Sequence, residues 1–297
     1  MKSDFIVDND NCDKRLDKYL AEKLSDYSRE QIISAIKAGD IAVNGLSKKP
    51  SYRVSLGEEI TLIISKPKDV LIPHEFKLKI VHEDSDIIVV NKPSSLATHP
   101  PNFKYSQTVV NALIYMKKEL FKSSSPLRPG VVHRLDKETT GLLVLAKNEQ
   151  SFNNLVGQFK ARKIKKIYRA ITHGIINEDK LKIDLPLARD SKNRLKMKVS
   201  FVEAKEALTE VEVLRRFRQA SYLNITLSTG RMHQIRIHLK FLGFPILGDK
   251  KYGIKDGLND LFLHAHILGF EHPVNSKYME FKADLPSYFN NYIEDKS

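Results

Sequence analysis

The chain has one cysteine, Cys12, and no tryptophan. A single thiol forms no internal disulfide and, without a second cysteine, no thiolate zinc site, so a reducing compartment, the cytoplasm, is the expected setting. Long apolar runs are also missing. The longest, such as Leu142–Ala146, span about five residues, whereas a membrane-crossing helix needs about 18. The opening residues, Met1-Lys-Ser-Asp-Phe-Ile-Val-Asp8, lack the basic start and apolar stretch of a secretory signal. Neither a Gly-x-Gly-x-x-Gly string nor a phosphate-loop string occurs. The histidines at 133, 233, 238, 264, 266 and 272 stand without the thiolate or carboxylate spacing of a known metal site, and the pair His264-x-His266 is too weak a pattern to change this. No cofactor, metal or membrane partner is expected.

What the chain has is an excess of positive charge. Its 297 residues carry 49 Lys+Arg against 36 Asp+Glu, a formal +13, with 41% apolar residues. That apolar content excludes a disordered chain, and the length suits two domains. The charge is uneven: residues 1–75 hold 12 basic and 13 acidic residues, so the remainder carries the whole excess. Between Lys160 and Lys198 there are 13 basic residues and four acids. A run this long and nearly one-signed repels itself unless a polyanion neutralises it, and phosphates are the natural neutraliser.

The first segment reads as a small mixed domain, residues 1–64. Leu16, Leu20 and Leu24 recur at helical spacing with Tyr19 beside them. Ser28 followed by Gln31 has the capping-box pattern that opens a second helix, with Ile32, Ile33, Ala35 and Ile36 apolar and Gly39 placed just after its end. Ile41–Gly45 predicts a short strand entering an Asn-Gly turn, and Glu58–Ile64 another strand. Two short helices followed by strands, with Arg15, Arg29 and Lys37 on or beside the helices, resemble the S4 RNA-binding domain. The resemblance runs through Arg15-Leu-Asp-Lys-Tyr-Leu20, Ser28-Arg-Glu-Gln-Ile32 and Gly39-Asp-Ile-Ala-Val-Asn-Gly45. It implies RNA contacts at Arg15, Arg29 and Lys37.

Residues 65–76, with two prolines and no periodicity, read as a linker. In the segment 77–297, strands are predicted at Leu78–His82, Asp86–Asn91, Gly130–Leu135, Leu142–Lys147, Tyr168–His173, Leu208–Phe217 and Tyr222–Thr229. Helices are predicted at Asn111–Phe121, Glu149–Lys160 and His233–Leu242. Many strands with interspersed helices indicate an α+β domain on a large, mixed, mainly antiparallel sheet with flanking helices.

The sharpest segment is Arg128-Pro-Gly-Val-Val-His-Arg-Leu-Asp-Lys-Glu-Thr-Thr-Gly-Leu-Leu-Val-Leu-Ala-Lys147. Asp136 stands at the exit of the predicted strand between Arg134 and Lys137, and positive neighbours favour the ionised carboxylate, which suits a nucleophile. An isolated Asp in such a turn is more often a partner in ordinary ion pairs; the surrounding string changes that balance. His133-Arg-Leu-Asp-Lys-Glu-Thr-Thr-Gly141 resembles the loop of the RluA-type pseudouridine synthases that carries the catalytic Asp. Asp86-Ile-Ile-Val-Val-Asn-Lys-Pro93 with His99-Pro100, Lys166-Ile-Tyr-Arg-Ala170, Thr229-Gly-Arg-Met-His-Gln-Ile-Arg-Ile-His-Leu239, Gly243–Asp249 with Tyr252-Gly253, Leu263-His-Ala265 and Phe270-Glu-His-Pro273 are similar to the other motifs of that family, in the same order. Thr140 and Met232 depart from the usual pattern at positions with no catalytic role.

The resemblance implies a pseudouridine synthase fold and isomerisation of uridine in RNA, with Asp136 catalytic and Tyr168 packed on the target base. It also implies RNA contacts at Arg134, Lys166, Arg231 and His233. Physical reasoning adds that Arg236 is placed to pair with Asp136. It also makes Thr229 the expected cap of the following helix, whose free N–H groups and Arg231 would receive a phosphate. Ribosomal RNA of the large subunit is the expected partner, with no obligate protein partner and a monomeric state. Two other readings stay open at this stage: an RNA-binding assembly factor in which catalysis is dispensable, and a hydrolase releasing free uracil. A single carboxylate weighs against the hydrolase, since glycosidic hydrolysis ordinarily employs two.

Overall fold

In the computed structural model, described for residues 2–24, 27, 29–63, 70–191, 193 and 196–295, the periodic apolar residues of the first segment converge on one core. Its elements are β1 (Lys2–Ile6), α1 (Leu16–Lys23), α2 (Arg29–Ala38), β2 (Ile41–Val43), β3 (Leu46–Ser47) and β4 (Glu59–Ile63). Leu16, Tyr19 and Leu20 of α1 meet Ile32, Ala35 and Ile36 of α2 over Ile41, Val43, Ile60 and Leu62. The four strands pair antiparallel in the order β1-β4-β2-β3. Asn44 and Gly45 both have positive φ (49° and 74°), the backbone that the Asn-Gly turn requires. The chain divides into two units, Met1–Asp69 and Val70–Ser297. The predicted cap Ser28 and the first part of the 65–76 segment lie outside the described residues.

The second unit continues with β5 (Lys79–Glu83), β6 (Ile87–Lys92), α3 (Val109–Tyr115), β7 (Thr140–Ala146), α4 (Glu149–Lys160), β8 (Lys165–His173), β9 (Lys180–Asp184), β10 (Leu187–Arg189), β11 (Met197–Val199), β12 (Leu208–Arg216), β13 (Ala220–Leu227), α5 (Gln234–Phe241), β14 (Leu263–Glu271), β15 (Tyr278–Lys282) and α6 (Ser287–Asp295). Nine strands form one sheet in the order β5-β6-β7-β14-β8-β13-β12-β9, with β15 also paired to β14. Among the described strands of this sheet, only β7 and β14 pair in parallel. β10 and β11 make a separate hairpin.

The apolar runs of β6 and β7 are continuous because both faces of these strands are covered. Ile88, Val90, Leu143 and Leu145 face α3, while Ile87, Val89, Leu142 and Val144 face Leu155 of α4. Across the sheet, α5 and α6 cover β8 and β13 through Ile235, Leu239 and Phe289. Gly141 lets β7 lie beside β14: a Cβ there would stand 2.2 Å from the Ala265 carbonyl oxygen, and its φ is +110°.

Two predicted elements differ. The helix placed at 111–121 is α3, Val109–Tyr115, opened by the Thr108 hydroxyl, which accepts the Asn111 N–H, and followed by Lys117 at φ 56°. The strand placed at 130–135 does not form. Gly130 (φ +66°) turns the chain, and Val131 makes one isolated bridge to Leu145. Beyond it, side chains hold the segment in place of a ladder.

Candidate active site

The loop that follows carries Asp136, and three side chains fasten it. Thr98 Oγ1 accepts the Leu135 N–H (3.1 Å) and donates to the Leu135 carbonyl (3.0 Å). His133 Nε2 accepts the Val144 N–H (3.1 Å), and burial holds this imidazole neutral, its pKa near 3. Lys92, fully buried at the end of β6, donates to the carbonyls of Pro93, Leu96 and Lys137 at 2.8–2.9 Å. Burial pulls the Lys92 pKa down to about 7, against the opposing charges of Asp136 and Glu138. Three accepting carbonyls match the three donors that only the ammonium form has.

Asp136 Oδ2 receives Arg236 Nη1 at 3.3 Å, the expected pair. The stronger hold on Arg236 comes from Asp249, which the sequence reading did not single out. Nε and Nη2 of Arg236 donate to the two Asp249 oxygens at 2.8 and 2.7 Å. The same carboxylate accepts the backbone N–H groups of Lys251 and Tyr252. Arg236 is 3% exposed and Asp249 1%. Burial alone would raise Asp249; the Arg236 hydrogen bonds outweigh it and hold its carboxyl below the ordinary range. Likewise burial opposes the charge on Arg236, and Asp249 more than restores it. With its fork anchored on Asp249 and its Cζ 5.4 Å from the Tyr252 ring centre, Arg236 offers the remaining Nη1 to Asp136 and Glu138.

His233 forms the second contact. Tyr252 Oη accepts the Met197 N–H (2.9 Å) and lies 2.7 Å from His233 Nδ1. On the other side of the ring, His233 Nε2 lies 3.8 Å from Asp136 Oδ2. Burial lowers the His233 pKa, with Asp136 acting against it.

Tyr168, in the middle of β8 between Ile225 and Ala265, faces Asp136 across a cleft of about 250 Å³. Leu227, Ile235 and Leu263 complete an apolar floor, and Arg134, Arg189 and Arg231 stand around it. Burial, and then the charge of Asp136, raise the Tyr168 phenol well above its ordinary value, so it carries its proton at any working pH. An adjoining groove runs past Lys160, Arg162 and Lys166 and shares Tyr168, Arg134 and Arg231 with the cleft. Burial, and then Arg162, lower Lys166 to about 8.

The expected role of Thr229 is not what the structure shows. α5 begins at Gln234 with His233 as cap in the left-handed region, φ 57°. Thr229 Oγ1 instead donates to Gln234 Oε1 and accepts the Leu208 N–H. The Arg231 N–H is also taken by Gln234 Oε1 (2.9 Å) and its Nε by the Glu206 carbonyl, so this N–H is not open to a phosphate.

In the first unit, Arg15 and Arg29 converge on the fully buried Asp17. Burial alone would raise Asp17; hydrogen bonds from the two guanidiniums hold it below the ordinary range. Both arginines remain about half exposed, and Lys37 is exposed at the end of α2. His264 and His266 are engaged internally, with Thr140 Oγ1 and the Ala283 carbonyl.

The RNA pseudouridylate synthase model matches residues 86–241 and the S4 domain model residues 14–60. An uncharacterized RNA pseudouridine synthase, YlyB of Bacillus subtilis (strain 168), is 39% identical over 98% of this chain and 97% of that protein. The ribosomal large subunit pseudouridine synthase D of Neisseria meningitidis serogroup B (strain ATCC BAA-335 / MC58) is 40% identical over 92% of this chain and 76% of its own length. Among solved structures, human RNA pseudouridylate synthase domain containing 1 superposes with a TM-score of 0.60 at 27% identity, covering 71% of this chain and 84% of the other. The mainly antiparallel sheet with its basic-rimmed cleft is thus that of an RNA-modifying isomerase. The chain belongs to the RNA pseudouridine synthase family and joins that catalytic unit to an S4 RNA-binding domain.

Proposed function

We propose that Asp136 is the catalytic carboxylate of a uridine-to-pseudouridine isomerisation on large-subunit ribosomal RNA, and that Tyr168 packs on the base while Arg236 fixes the carboxylate. The observation that carries this reading is the Asp136–Arg236 contact, backed by Asp249, opposite Tyr168 in one cleft. Isomerisation breaks the N1–C1′ bond of uridine and joins C5 to C1′; one proton leaves C5 and one is gained at N1, so no group donor is needed. The phenol of Tyr168 keeps its proton, and Asp136 is the carboxylate that assists the bond exchange. A stacked uridine does not reach the floor of such a cleft, so the nucleotide is flipped out, at a cost of a few kcal/mol.

Arg134 at the rim is placed to support the strand or fill the gap left by the base. Lys166, Arg231 and the basic run beside them receive phosphates, and His233 acts within the site against Asp136. Arg15, Arg29 and Lys37 form the RNA face of the small unit. The ribosomal substrate is supported by relatives named for it at 37–40% identity over 92–95% of this chain. We place the enzyme in the cytoplasm, as a monomer without an obligate protein partner.

The test is pseudouridine mapping of large-subunit ribosomal RNA from cells lacking the gene, complemented with wild type or Asp136→Asn. Restoration by wild type alone, with RNA affinity of the variant within about twofold, is the expected outcome. Equal restoration by both would remove Asp136 from the chemistry; no difference in any ribosomal uridine would remove the substrate.

A further inference from the structure

A second groove opens beside the cleft. It is formed between the β10–β11 hairpin and the loop that follows, with a volume of about 650 Å³. It is continuous with the active cleft, since Arg189, Gly230, Arg231 and Met232 line both. Its walls carry Lys198 and Lys205 besides the two arginines, against one acid, Glu203. Lys198, Lys205 and Arg189 are exposed and form no ion pair among the described residues.

The loop at its edge presents Phe201, 79% exposed, next to Val202, 76% exposed. No other large apolar side chain among the described residues is as exposed as Phe201. This exposure is built. The Ser200 N–H donates to the Pro186 carbonyl, and Ser200 Oγ accepts the Val202 N–H and donates to the Val202 carbonyl. Lys205 and Leu187 exchange two backbone hydrogen bonds at 2.9 Å. The turn is pinned at both ends while its aromatic tip touches solvent.

We propose that this groove holds the single-stranded RNA flanking the target uridine, with an unpaired base stacked on Phe201 and its phosphates on Lys198 and Lys205. Cationic walls beside an exposed aromatic face are what a sequence-tolerant single-strand site requires. Continuity with the cleft makes the occupant the same strand that enters the catalytic centre. The inference rests on the RNA-modifying reading above.

The experiment measures affinity of the full chain for a fluorescent 20-nucleotide uridine-rich single-stranded RNA across a salt series. Phe201→Ala is expected to weaken binding about five- to tenfold at every salt concentration. Phe201→Leu loses nearly as much and Phe201→Trp retains wild-type affinity, which separates a ring face from mere apolar bulk. Lys198→Ala/Lys205→Ala is expected to lower the slope of log affinity on log salt by about 1.4. Phe201→Ala within twofold of wild type would overturn the proposal and leave the exposed pair to a protein partner. Because the readout is binding, an enzyme that makes no pseudouridine would remove the earlier reading and leave this comparison intact.

Discussion

Arg236 is the residue on which the two carboxylates of the site depend. Its fork serves Asp249 with two nitrogens and Asp136 with the third. A lysine there keeps the charge but cannot hold both acids in one plane. Arg236→Lys is therefore expected to lower the single-turnover rate of pseudouridine formation by about 10²-fold or more while RNA affinity stays within about twofold. Tyr168→Phe removes only the hydroxyl: binding is expected to survive, and a large loss of affinity would contradict packing of the ring on the base. Asp136, Tyr168 and Arg236, which the fold brings to one cleft, each stand inside a contiguous string whose residue types are themselves informative. Asp249, Tyr252 and Lys92 stand within such strings too, but their residue types alone assign them no role. Their roles depend on burial and on partners far along the chain, as in the contact from Lys92 to the Lys137 carbonyl, and periodicity carries no information on either.

At the scale of elements, α1–α5 and eight of the fifteen described strands follow from the sequence pattern, and α4 forms over the predicted residues, Glu149–Lys160, whereas α6 and the strands β1, β3, β9–β11, β14 and β15 are not expected from it. In the segment 130–135, Val131-Val132 before a polar loop has the composition of a strand, while the ties that replace its ladder come from Thr98 and His133. Thr98→Val removes both bonds to Leu135. Two buried backbone groups lose their partner, so a stability loss of about 1–3 kcal/mol is expected in urea unfolding, with a lower reaction rate as the Asp136 loop loosens. The β5–β6 turn carries a pH-dependent counterpart. Burial alone would raise Asp84, but the hydrogen bond from His82 and the N–H groups of Ile87 and Asp86 outweigh it and bring its pKa to about 2. A carboxylate depressed in the folded state stabilises above its unfolded pKa of about 3.8 and loses that contribution as pH falls towards 2. Asp84→Asn is thus expected to lower the urea midpoint at pH 7, and the gap to wild type narrows steadily below pH 4. A gap that does not depend on pH would show that ionisation of Asp84 is not what stabilises the turn.

For the whole molecule, the decisive property is where the +13 lies. Residues 1–69 hold 12 basic and 12 acidic side chains, so the entire excess belongs to the unit Val70–Ser297. Charge of one sign around a cleft raises the rate of encounter with a polyanion, and salt screens this over about 10 Å at 0.1 M. A neutral unit contributes placed contacts and almost no long-range attraction. The two units should therefore separate kinetically when RNA association is followed by stopped-flow fluorescence. Lys160→Ala/Lys163→Ala, in the basic run beside Tyr168, is expected to slow association at low salt several-fold and to flatten its salt dependence. Lys37→Ala, on α2 of the small unit, is expected to leave the association rate unchanged and to speed dissociation. A slower association in Lys37→Ala, equal to that of the double variant, would mean that the small unit also steers, and that its balanced charge is gathered on one face strongly enough to act at a distance.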